Sequence, residues 1–413
     1  MPEIDLEGVK KNNPIPVVIE SRFHLKMERS GRGFKAIRCP FHQDDSPSFS
    51  VYMGKDGNWY FKCFGASCGK SGDVFDLVGF QIYGLGWNAR NKDQFKEVLK
   101  TLDSSIQFEI PAEIRNMKPR EVLTVTPLLQ MALQGAAAVY GDYLHHSEDA
   151  LSYLRDRHIG DKMMRKYRFG FCPADGTTLM DILPTLYKIQ PGVLAMAGIF
   201  HEFSGEDGKK RFYESFKLNR WDRELGHETQ FQRGRIVFAD IGRGGAINYL
   251  FARVLPEDDL PKGIPRYLGL TGLNKPVFGL ESLDEAPGEP IFMLEGQIDK
   301  ITLEQWGLGA LAMCGGMLSM EQEEAILKTK RRLILVTDND LGGDAATSRL
   351  YESRLKPQIL FEMSLPAQLS GIPIKDPNDL EVKLQPGEGE RIFKDLVHAR
   401  KAQSERTFKK GLA

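Results

Sequence analysis

Three of the five cysteines lie beside a histidine in one short stretch of the chain, Arg38 to Asp73. Two residues separate Cys39 from His42, and a second pair, Cys63 and Cys68, follows after an intervening segment. Zinc takes four nitrogen or sulfur ligands in a tetrahedron, and two closely spaced pairs of side chains can supply them. The spacing therefore predicts one structural Zn²⁺ held by these four side chains.

A phosphate-binding loop is the competing interpretation of this stretch, because part of it reads GASCGKS. A Walker A loop needs four residues between its first glycine and the Gly-Lys-Ser/Thr sequence. Only three residues separate Gly65 from Gly69, so the loop is one residue short. Another alternative remains open at this point, in which the cysteines are ordinary core residues and His42 lies at the surface.

A second set of candidate residues is acidic and lies in the last third of the chain. The apolar run IFML is followed by Glu295, and the run LILV is followed closely by Asp338 and Asp340. Asp299 comes four residues after Glu295, so the two can share one helix face or its approach. Clustered carboxylates repel one another unless they hold a hard cation such as Mg²⁺ or Mn²⁺. Two such ions can activate a hydroxyl and stabilise a departing pyrophosphate, which is nucleotidyl transfer.

The acids need a fold that brings distant segments together, and the surrounding pattern predicts one. Strand-like and helix-like segments alternate from Pro290 to Leu380, which favours a parallel sheet with helices between its strands. Ligands of such sheets bind at the carboxyl ends of the strands, where Glu295, Asp338 and Asp340 would lie. The alternative is that each acid only caps the helix that follows it, as Asp340 could do.

The cysteine pairs need a small sheet, and the residues between them alternate as strand residues do. The segments SFSVYM and GNWYFKCF are joined through KDG, which predicts a hairpin between the two cysteine pairs. Aromatic and basic residues are interleaved on this hairpin, and we predict that Trp59 and Lys62 contact single-stranded nucleic acid. The alternation does not decide which of the rings fill the core instead.

The composition is that of an ordinary globular protein, with 41% hydrophobic and 27% charged residues. A net charge of -1 neither favours nor excludes nucleic acid as a partner. The first residues lack the apolar core of a secretion signal, and no run approaches the roughly 20 apolar residues of a membrane span. We therefore expect a reduced, cytoplasmic protein without a membrane partner.

The cysteine-containing stretch resembles the N-terminal zinc domain of bacterial replicative DNA primases of the DnaG type. The segments that carry the resemblance are RCPFH, SPSFSV, FKCFG and SGDVFDLV. The family usually has two residues between the cysteines of its second pair. Here four residues, Phe64 to Ser67, separate Cys63 from Cys68, so the second pair departs from the family's spacing.

The acidic segment is similar to the Toprim fold of the same family, in which a glutamate and an Asp-x-Asp follow successive parallel strands. The primases' further Asp-Pro-Asp motif reads KDPNDL here, so that Asn378 replaces the second acid and Asp379 follows it. The resemblance implies that three acids are catalytic and that the same three bind Mg²⁺ together with two others. The catalytic acids are Glu295, Asp338 and Asp340, and the two further Mg²⁺ ligands are Asp299 and Asp376.

The middle of the chain matches the family at positions that the resemblance implies to bind nucleic acid. Arg157 lies in LRDRHIG, Arg253 lies in FARVL, and Tyr267 lies in PRYLGL. Arg266, also in PRYLGL, stands where the family usually has lysine, so the positive charge is kept. The charged segment from Gly205 to Arg235 is longer than the family's, and we expect it to be a solvated surface insertion. The alternative is a contact with nucleic acid through its basic residues, Lys209, Lys210, Arg211, Arg220 and Arg223.

The expected fold class is α+β multidomain, with a β zinc ribbon flanked by helices and then a mixed α/β polymerase domain that contains a parallel Toprim sheet. The predicted domains are a zinc ribbon (1–105), a linker (106–126), the basic part of the polymerase domain (127–285), the Toprim subdomain (286–385) and a helical tail (386–413).

The resemblance implies a primase that makes short RNA primers at the replication fork. Its partners would be a single-stranded DNA template, ribonucleoside triphosphates and a separate replicative helicase, since the family's larger helicase-docking domain has no counterpart in the tail. A Toprim nuclease or topoisomerase is one alternative, although little chain remains for a topoisomerase's tyrosine-bearing domain. A non-catalytic module that binds single-stranded DNA is another, and the retained acids argue against it.

Overall fold

The computed structural model divides the chain into two compact units, Met1–Glu121 and Val122–Ala413. The residues it describes are 5–30, 33–44, 47–54, 56–65, 68–103, 114, 126–174, 178–204, 209–217, 234–255, 265–285, 290–315, 318–339 and 341–411. The predicted linker at 106–126 therefore lies almost wholly outside the described residues. No helix within these ranges is long and apolar enough to cross a membrane.

The first unit is built on an antiparallel hairpin whose strands carry apolar residues at every second position. Its elements are α1 (Leu6–Asn12), α2 (Ile15–Phe23), β1 (Arg29–Ser30), β2 (Gly33–Phe34), β3 (Phe49–Met53), β4 (Trp59–Cys63), β5 (Ser71–Gly72), α3 (Val74–Tyr83) and α4 (Lys92–Asp103). Phe49 pairs with Cys63 and Val51 with Phe61 across the hairpin, and all four side chains are buried. Because side chains of a strand alternate between its faces, the residues between them face outward.

Helix α3 closes the other side of this small sheet. Asp73 caps the helix by accepting hydrogen bonds from the N–H groups of Phe75 and Asp76, and Asp76 accepts one from the N–H of Asp73 in return. This reciprocal capping box satisfies backbone donors that a helix start would otherwise leave unpaired. The apolar face of α3 then packs into the core that β3 and β4 provide.

The second unit combines an antiparallel sheet with a parallel one. Its first elements are α5 (Pro127–His145), α6 (Glu148–Asp156), α7 (Asp161–Lys166), β6 (Gly170–Cys172), α8 (Ile182–Leu186), α9 (Pro191–Met196), β7 (Phe200–Ser204), β8 (Lys210–Glu214), β9 (Arg235–Ile241), β10 (Ile247–Val254) and β11 (Tyr267–Gly269). The remaining elements are β12 (Ile291–Leu294), α10 (Gln297–Gln305), β13 (Ala310–Ala312), α11 (Met320–Thr329), β14 (Leu333–Leu335), α12 (Leu341–Glu352), β15 (Ile359–Glu362), β16 (Gln368–Leu369), β17 (Ile372–Pro373), α13 (Pro377–Lys383) and α14 (Glu388–Gly411).

The antiparallel sheet has the strand order β11-β10-β9-β6, with α5 packed on it. Its two long strands meet at a tight turn, where Gly244 and Gly245 both have positive φ angles that glycine adopts at little cost.

The parallel sheet has the order β13-β12-β14-β15, and every neighbouring pair in it is parallel. All residues of β12, β13 and β14 are buried, as expected of strands that helices cover on both faces. Glu295 directly follows β12, and Asp338 follows β14 after a short extension. The two central strands therefore deliver both acids to the same edge of the sheet.

The segment from Gly205 to Arg235 differs in part from the expected surface insertion. Strand β8 pairs with β7, and Glu214 at its end is buried. The carboxylate of Glu214 is held inside because it accepts hydrogen bonds from the N–H groups of Thr178, at 2.6 Å, and Leu179, at 2.7 Å. A charged sequence can thus belong to the core, while residues 218–233 lie outside the described part of the chain.

Candidate zinc centre and acidic cavity

The four predicted zinc ligands converge in the first unit. The ligand atoms of Cys39, His42, Cys63 and Cys68 all lie within 4.8 Å of one another. The Sγ atoms of Cys39 and Cys68 are 3.8 Å apart, and Nε2 of His42 is 3.2 Å from Sγ of Cys63. Zn–S bonds of about 2.3 Å in a tetrahedron require sulfurs about 3.8 Å apart, so these distances fit a zinc ion.

Backbone groups around the cluster favour thiolate ligands. The N–H of Phe41 donates to Sγ of Cys39 at 3.4 Å, and the N–H of Gly65 donates to Sγ of Cys63 at 3.3 Å. Burial acts to raise the pKa of Cys63, but hydrogen bonds with Ser48, Gly65 and His42 outweigh it and lower that pKa. A thiolate is the form of cysteine that binds a metal, so the contacts of Cys63 support the zinc site. Burial raises the pKa of Cys39 and of Cys68, so those two thiols would be deprotonated by the metal itself.

The exposed face of the hairpin carries different rings from the one we predicted. Trp59 is only 7% exposed and packs against Phe34 in the core, so its indole cannot stack on a base, and we withdraw it from the candidate surface. Its position pairs with Met53 on the inward face of the hairpin, which the alternation alone did not reveal. Tyr52, which is 47% exposed, instead stacks on Tyr60 on the outward face.

Lys62 lies on this outward side of β4, where its Nζ is 4.9 Å from the ring centre of Phe64. The ring of Phe64 is 60% exposed. We define Tyr52, Tyr60, Lys62 and Phe64 as the aromatic face. Exposed rings beside a cation suit stacking on unpaired bases.

In the second unit, a cavity of about 540 Å³ gathers the acidic residues at the edge of the parallel sheet. It brings together most of the residues that we predicted for catalysis, metal binding and nucleic-acid binding. Its acids are Glu295, Asp299, Asp338, Asp376 and Asp379, and its basic and aromatic residues are Arg157, Arg253, Arg266, Lys375, Lys383 and Tyr267. Asp340 lies outside the described residues. A larger cavity, of about 890 Å³, lies elsewhere in this unit, beside α5 and α7, and contains none of the predicted residues.

Close backbone contacts fix the two acids that follow the central strands. The N–H of Asp338 donates to Oε1 of Glu295 at 3.2 Å, which ties the ends of β12 and β14 together. A Cβ atom on Gly343 in α12 would lie 2.0 Å from the carbonyl oxygen of Asp338. Only glycine lets α12 approach so near, and this approach sets the position of Asp338.

Helix α10 presents Asp299 to the cavity from its first turn. A Cβ atom on Gly296 would lie 2.4 Å from Oδ2 of Asp299, so the glycine leaves room for this carboxylate. Burial, together with the nearby charges of Asp376 and Asp338, raises the pKa of Asp299 well above its ordinary value. Burial, together with the charge of Asp379, likewise raises the pKa of Asp376. These carboxyl groups are therefore costly to ionise unless a cation offsets their mutual repulsion.

The far side of α10 is anchored by a completely buried lysine. Lys300 has no exposed surface, and its Nζ contacts the hydroxyl of Tyr167 and the carboxylate of Glu304. Lys166 reaches the same carboxylate at 2.6 Å. This cluster joins α10 to the segment around α7 and so helps to keep Asp299 directed toward the cavity.

Cations line the same cavity as the acids. The guanidinium groups of Arg157 and Arg253 lie 5.6 Å and 5.9 Å from the ring centre of Tyr153, and Arg253 also contacts the hydroxyl of Tyr267. Nζ of Lys375 lies 3.2 Å from Oδ2 of Asp338. Lys375 was not among the predicted site residues, although it directly precedes Asp376 in KDPNDL.

Asp379 is already engaged by cations and by the backbone. Its Oδ2 accepts the N–H of Lys375 at 2.8 Å and lies 2.8 Å from Nζ of Lys383. Asp376 caps α13, since its Oδ1 accepts the N–H of Asp379 at 2.8 Å. Helix capping thus accounts for one oxygen of Asp376 and leaves the other for a further ligand.

Two sequence families match the chain. The CHC2 zinc finger family matches residues 1–118, and the Toprim-like family matches residues 292–380. The first match covers the zinc cluster, and it confirms the zinc-ribbon interpretation of the opening stretch against the phosphate-binding loop. The second covers the parallel sheet, so the predicted multidomain α/β fold with a zinc ribbon and a Toprim sheet is confirmed.

Curated proteins named DNA primase match most of the chain. A DNA primase of Listeria innocua is 27% identical over 396 residues, which is 92% of this chain and 56% of that protein. The chain thus spans little more than half the length of this relative.

Two solved structures share the fold of about two thirds of this chain. The RNA polymerase domain of the Mycobacterium tuberculosis primase DnaG, in complex with a double-stranded DNA oligomer with a 6-nucleotide overhang, has a TM-score of 0.50 and 25% identity, covering 66% of this chain and 80% of that one. A DNA primase domain from Pseudomonas aeruginosa has a TM-score of 0.51 and 24% identity, covering 65% and 78%.

Proposed function

We propose that this chain, which belongs to the DnaG-type DNA primase family, is a DNA primase that synthesises short RNA primers on single-stranded DNA. The observation that carries the proposal is the cavity at the edge of the Toprim sheet, whose lining combines four acids, Glu295, Asp299, Asp338 and Asp376, with several cations. Nucleotidyl transfer needs both parts, since it combines metal-binding carboxylates with positive charge for phosphates.

The donor set of the cavity fits divalent metal ions. Mg²⁺ and Mn²⁺ prefer carboxylate oxygens, and Glu295, Asp299, Asp338 and Asp376 would hold them, with Asp340 as a further predicted ligand. Burial and like-charge repulsion, which raise the pKa values of Asp299 and Asp376, support this assignment because a bound cation would relieve both. When bound, such ions supply activation of the attacking hydroxyl and stabilisation of the departing pyrophosphate.

The basic and aromatic residues of the cavity would bind and orient the substrates. Arg157, Arg253 and Arg266 can grip phosphate oxygens of the template or of incoming ribonucleoside triphosphates with paired N–H groups. Tyr267 contacts Arg253 and would fix the direction of its guanidinium. Lys375, now paired with Asp338, carries a charge that can turn to a phosphate once a metal ion neutralises that carboxylate.

The zinc ribbon would bind and select the template strand. In its aromatic face, Tyr52, Tyr60 and Phe64 would stack on bases and Lys62 would contact the phosphate backbone of the template. None of these four side chains is buried in the core. A separate replicative helicase would supply the single-stranded template.

A primer-synthesis assay tests the proposal directly. Purified protein, single-stranded DNA, ribonucleoside triphosphates and Mg²⁺ should yield short RNA. Glu295→Ala or Asp338→Ala should each lower the rate by more than about 100-fold, the effect expected when charge stabilisation of a transition state is lost. Glu324→Gln is the matched control, because it removes an acid on α11 whose ion pair with Lys328 is exposed to solvent and lies outside the cavity lining.

Two results would contradict the proposal. One is the absence of RNA synthesis by the unmodified protein on any template, and the other is metal-dependent DNA cleavage without synthesis, which would indicate a Toprim nuclease.

A further inference from the structure

The amide of Asn378 occupies the position of the second acid in the primases' Asp-Pro-Asp motif, but its surroundings are not those of a metal ligand. The residue is 1% exposed and lies near the start of α13. Its Nδ2 donates to the carbonyl oxygen of Arg157 at 3.0 Å and to Oγ1 of Thr302 at 3.0 Å. Its Oδ1 accepts from the guanidinium of Arg157 at 3.2 Å, and its N–H donates to Oδ1 of Asp299 at 3.1 Å.

The chemistry of these partners fixes the orientation of the amide. A guanidinium has only donors, so it must face Oδ1. The hydroxyl of Thr302 donates its single proton to the carbonyl oxygen of Ile298 at 3.0 Å, so toward Asn378 it can only accept. The Nδ2 end therefore faces two acceptors, and both of its protons are used.

An aspartate could not replace this amide without loss. One carboxylate oxygen would lie against the carbonyl oxygen of Arg157 with no proton to share, and Oγ1 of Thr302 could donate to it only by turning its proton away from the carbonyl oxygen of Ile298. A buried group that loses its hydrogen-bond partners in this way is strongly disfavoured. The local hydrogen-bond pattern thus selects asparagine over the family's acid.

We propose that Asn378 is a positioning residue that holds Arg157 and the Asp299-bearing helix α10 at a fixed separation across the acidic cavity, and that it does not ligate a metal. Three segments meet at this one amide: the residue after α6, the middle of α10 and the start of α13. The inference rests on the proposed function, because the reaction that the positioning serves is primer synthesis.

The first experiment compares Asn378→Asp with the unmodified protein. Asn378→Asp keeps the shape of the side chain and removes its two donors, so kcat/KM for primer synthesis should fall by about 10- to 100-fold. Mn²⁺ affinity, measured by electron paramagnetic resonance of the free ion, should not rise. Tighter Mn²⁺ binding together with faster synthesis by Asn378→Asp would show a metal-ligand position and overturn the inference.

Thr302 supplies a milder pair of variants in case Asn378→Asp does not fold. Thr302→Val removes only one of the two acceptors while keeping the side-chain shape, and it should lower kcat/KM less than Asn378→Asp does. Thr302→Ser retains the hydroxyl and is the matched control. Equal activity of the Val and Ser variants would mean that the Thr302 contact carries no positioning, contrary to the proposal.

A double-mutant cycle links Asn378 to Arg157. Affinity for a fluorescent single-stranded DNA should fall in Arg157→Ala and in Asn378→Ala, and the double variant should bind little worse than Arg157→Ala, because Asn378 acts through that arginine. Additive losses would overturn the inference. If the unmodified protein made no RNA, the proposed function would fail, whereas the binding cycle would still report on the coupling.

Discussion

At the scale of single residues, some ionisable groups are buried although they do not line the acidic cavity. Asp240 in β9 is buried and accepts the N–H of Gly279 at 3.0 Å. Burial raises the pKa of Asp240 to about 6, despite the favourable charge of Lys300 and with a further unfavourable contribution from Glu281. The native state therefore binds a proton to this carboxyl more readily than the unfolded chain does.

This difference predicts a pH-dependent effect of Asp240→Asn. Because the native pKa lies above the ordinary value of 3.8, the ionised group opposes folding above about pH 6 and ceases to do so below pH 4. Asp240→Asn should raise the free energy of unfolding at pH 8 by at most about 3 kcal/mol, and the gain should shrink as the pH falls from 6 to 4. Urea unfolding at several pH values measures it.

An exposed acid provides the control for Asp240→Asn. Asp395→Asn in α14 should change the free energy of unfolding by less than about 0.5 kcal/mol at each pH. A gain for Asp240→Asn that stayed constant from pH 4 to pH 8 would argue against burial of an ionisable group as its cause.

Residue types and spacing alone singled out the four side chains that cluster in the first unit, because metal chemistry restricts which side chains can serve as zinc ligands and at what spacing. Trp59 was wrongly assigned to the exposed face of the hairpin. Alternation along a strand defines its two faces but does not say which of them packs inward. Residue types also gave no sign of the hydrogen bonds that link Asn378 to Arg157 and to α10, because the contact with Arg157 joins residues 221 positions apart.

At the scale of elements, close approaches of helices to strand ends determine the shape of the acidic cavity. The parallel strands could be predicted because burial on both faces leaves nearly continuous apolar runs. The close approach of α12 to Asp338 could not be predicted, because the sequence LGGD around Gly343 is equally typical of a loop and of the start of a helix.

Gly343→Ala tests whether this approach matters. The added methyl would have to push the backbone of Asp338 aside, so we expect a loss of stability of about 1–3 kcal/mol and a larger loss of primer synthesis. Thermal unfolding and the synthesis assay measure the two effects.

Gly192→Ala in α9 is the matched helical control for Gly343→Ala. Nothing lies within 4 Å of a Cβ atom at Gly192, and alanine favours helix more than glycine does, so stability should rise slightly. Equal effects of the two substitutions would mean that contact with Asp338 is not what makes Gly343 necessary.

At the scale of the whole molecule, each unit has a core of its own. The buried cluster of the first unit contains two of the zinc ligands, Cys39 and Cys63, whereas the other clusters are confined to the second unit. A small unit gains much of its stability from a structural metal, because binding free energy becomes folding free energy.

We therefore expect two thermal unfolding transitions, of which only one depends on zinc. Metal analysis should find about one zinc per chain, and Cys39→Ala should lose it. A zinc-selective chelator should lower the midpoint of one transition and leave the other in place. Cys314→Ser changes a cysteine outside the cluster, so this variant is the control and should retain zinc. A single transition that shifts as a whole on chelation would contradict the separation of the cores.

The buried amine of Lys300 has a consequence for the chain's reactivity. Its ammonium is enclosed by Tyr167, Glu304 and the ring of Phe278, so reagents that acylate amines cannot reach it while the core is closed. Lys375, only 75 positions further along, is half-exposed beside Asp338 and remains open to the same reagents. The rate at which Lys300 is acylated, compared with the rate for Lys375, should therefore report how often α10 separates transiently from Tyr167 and the segment around α7.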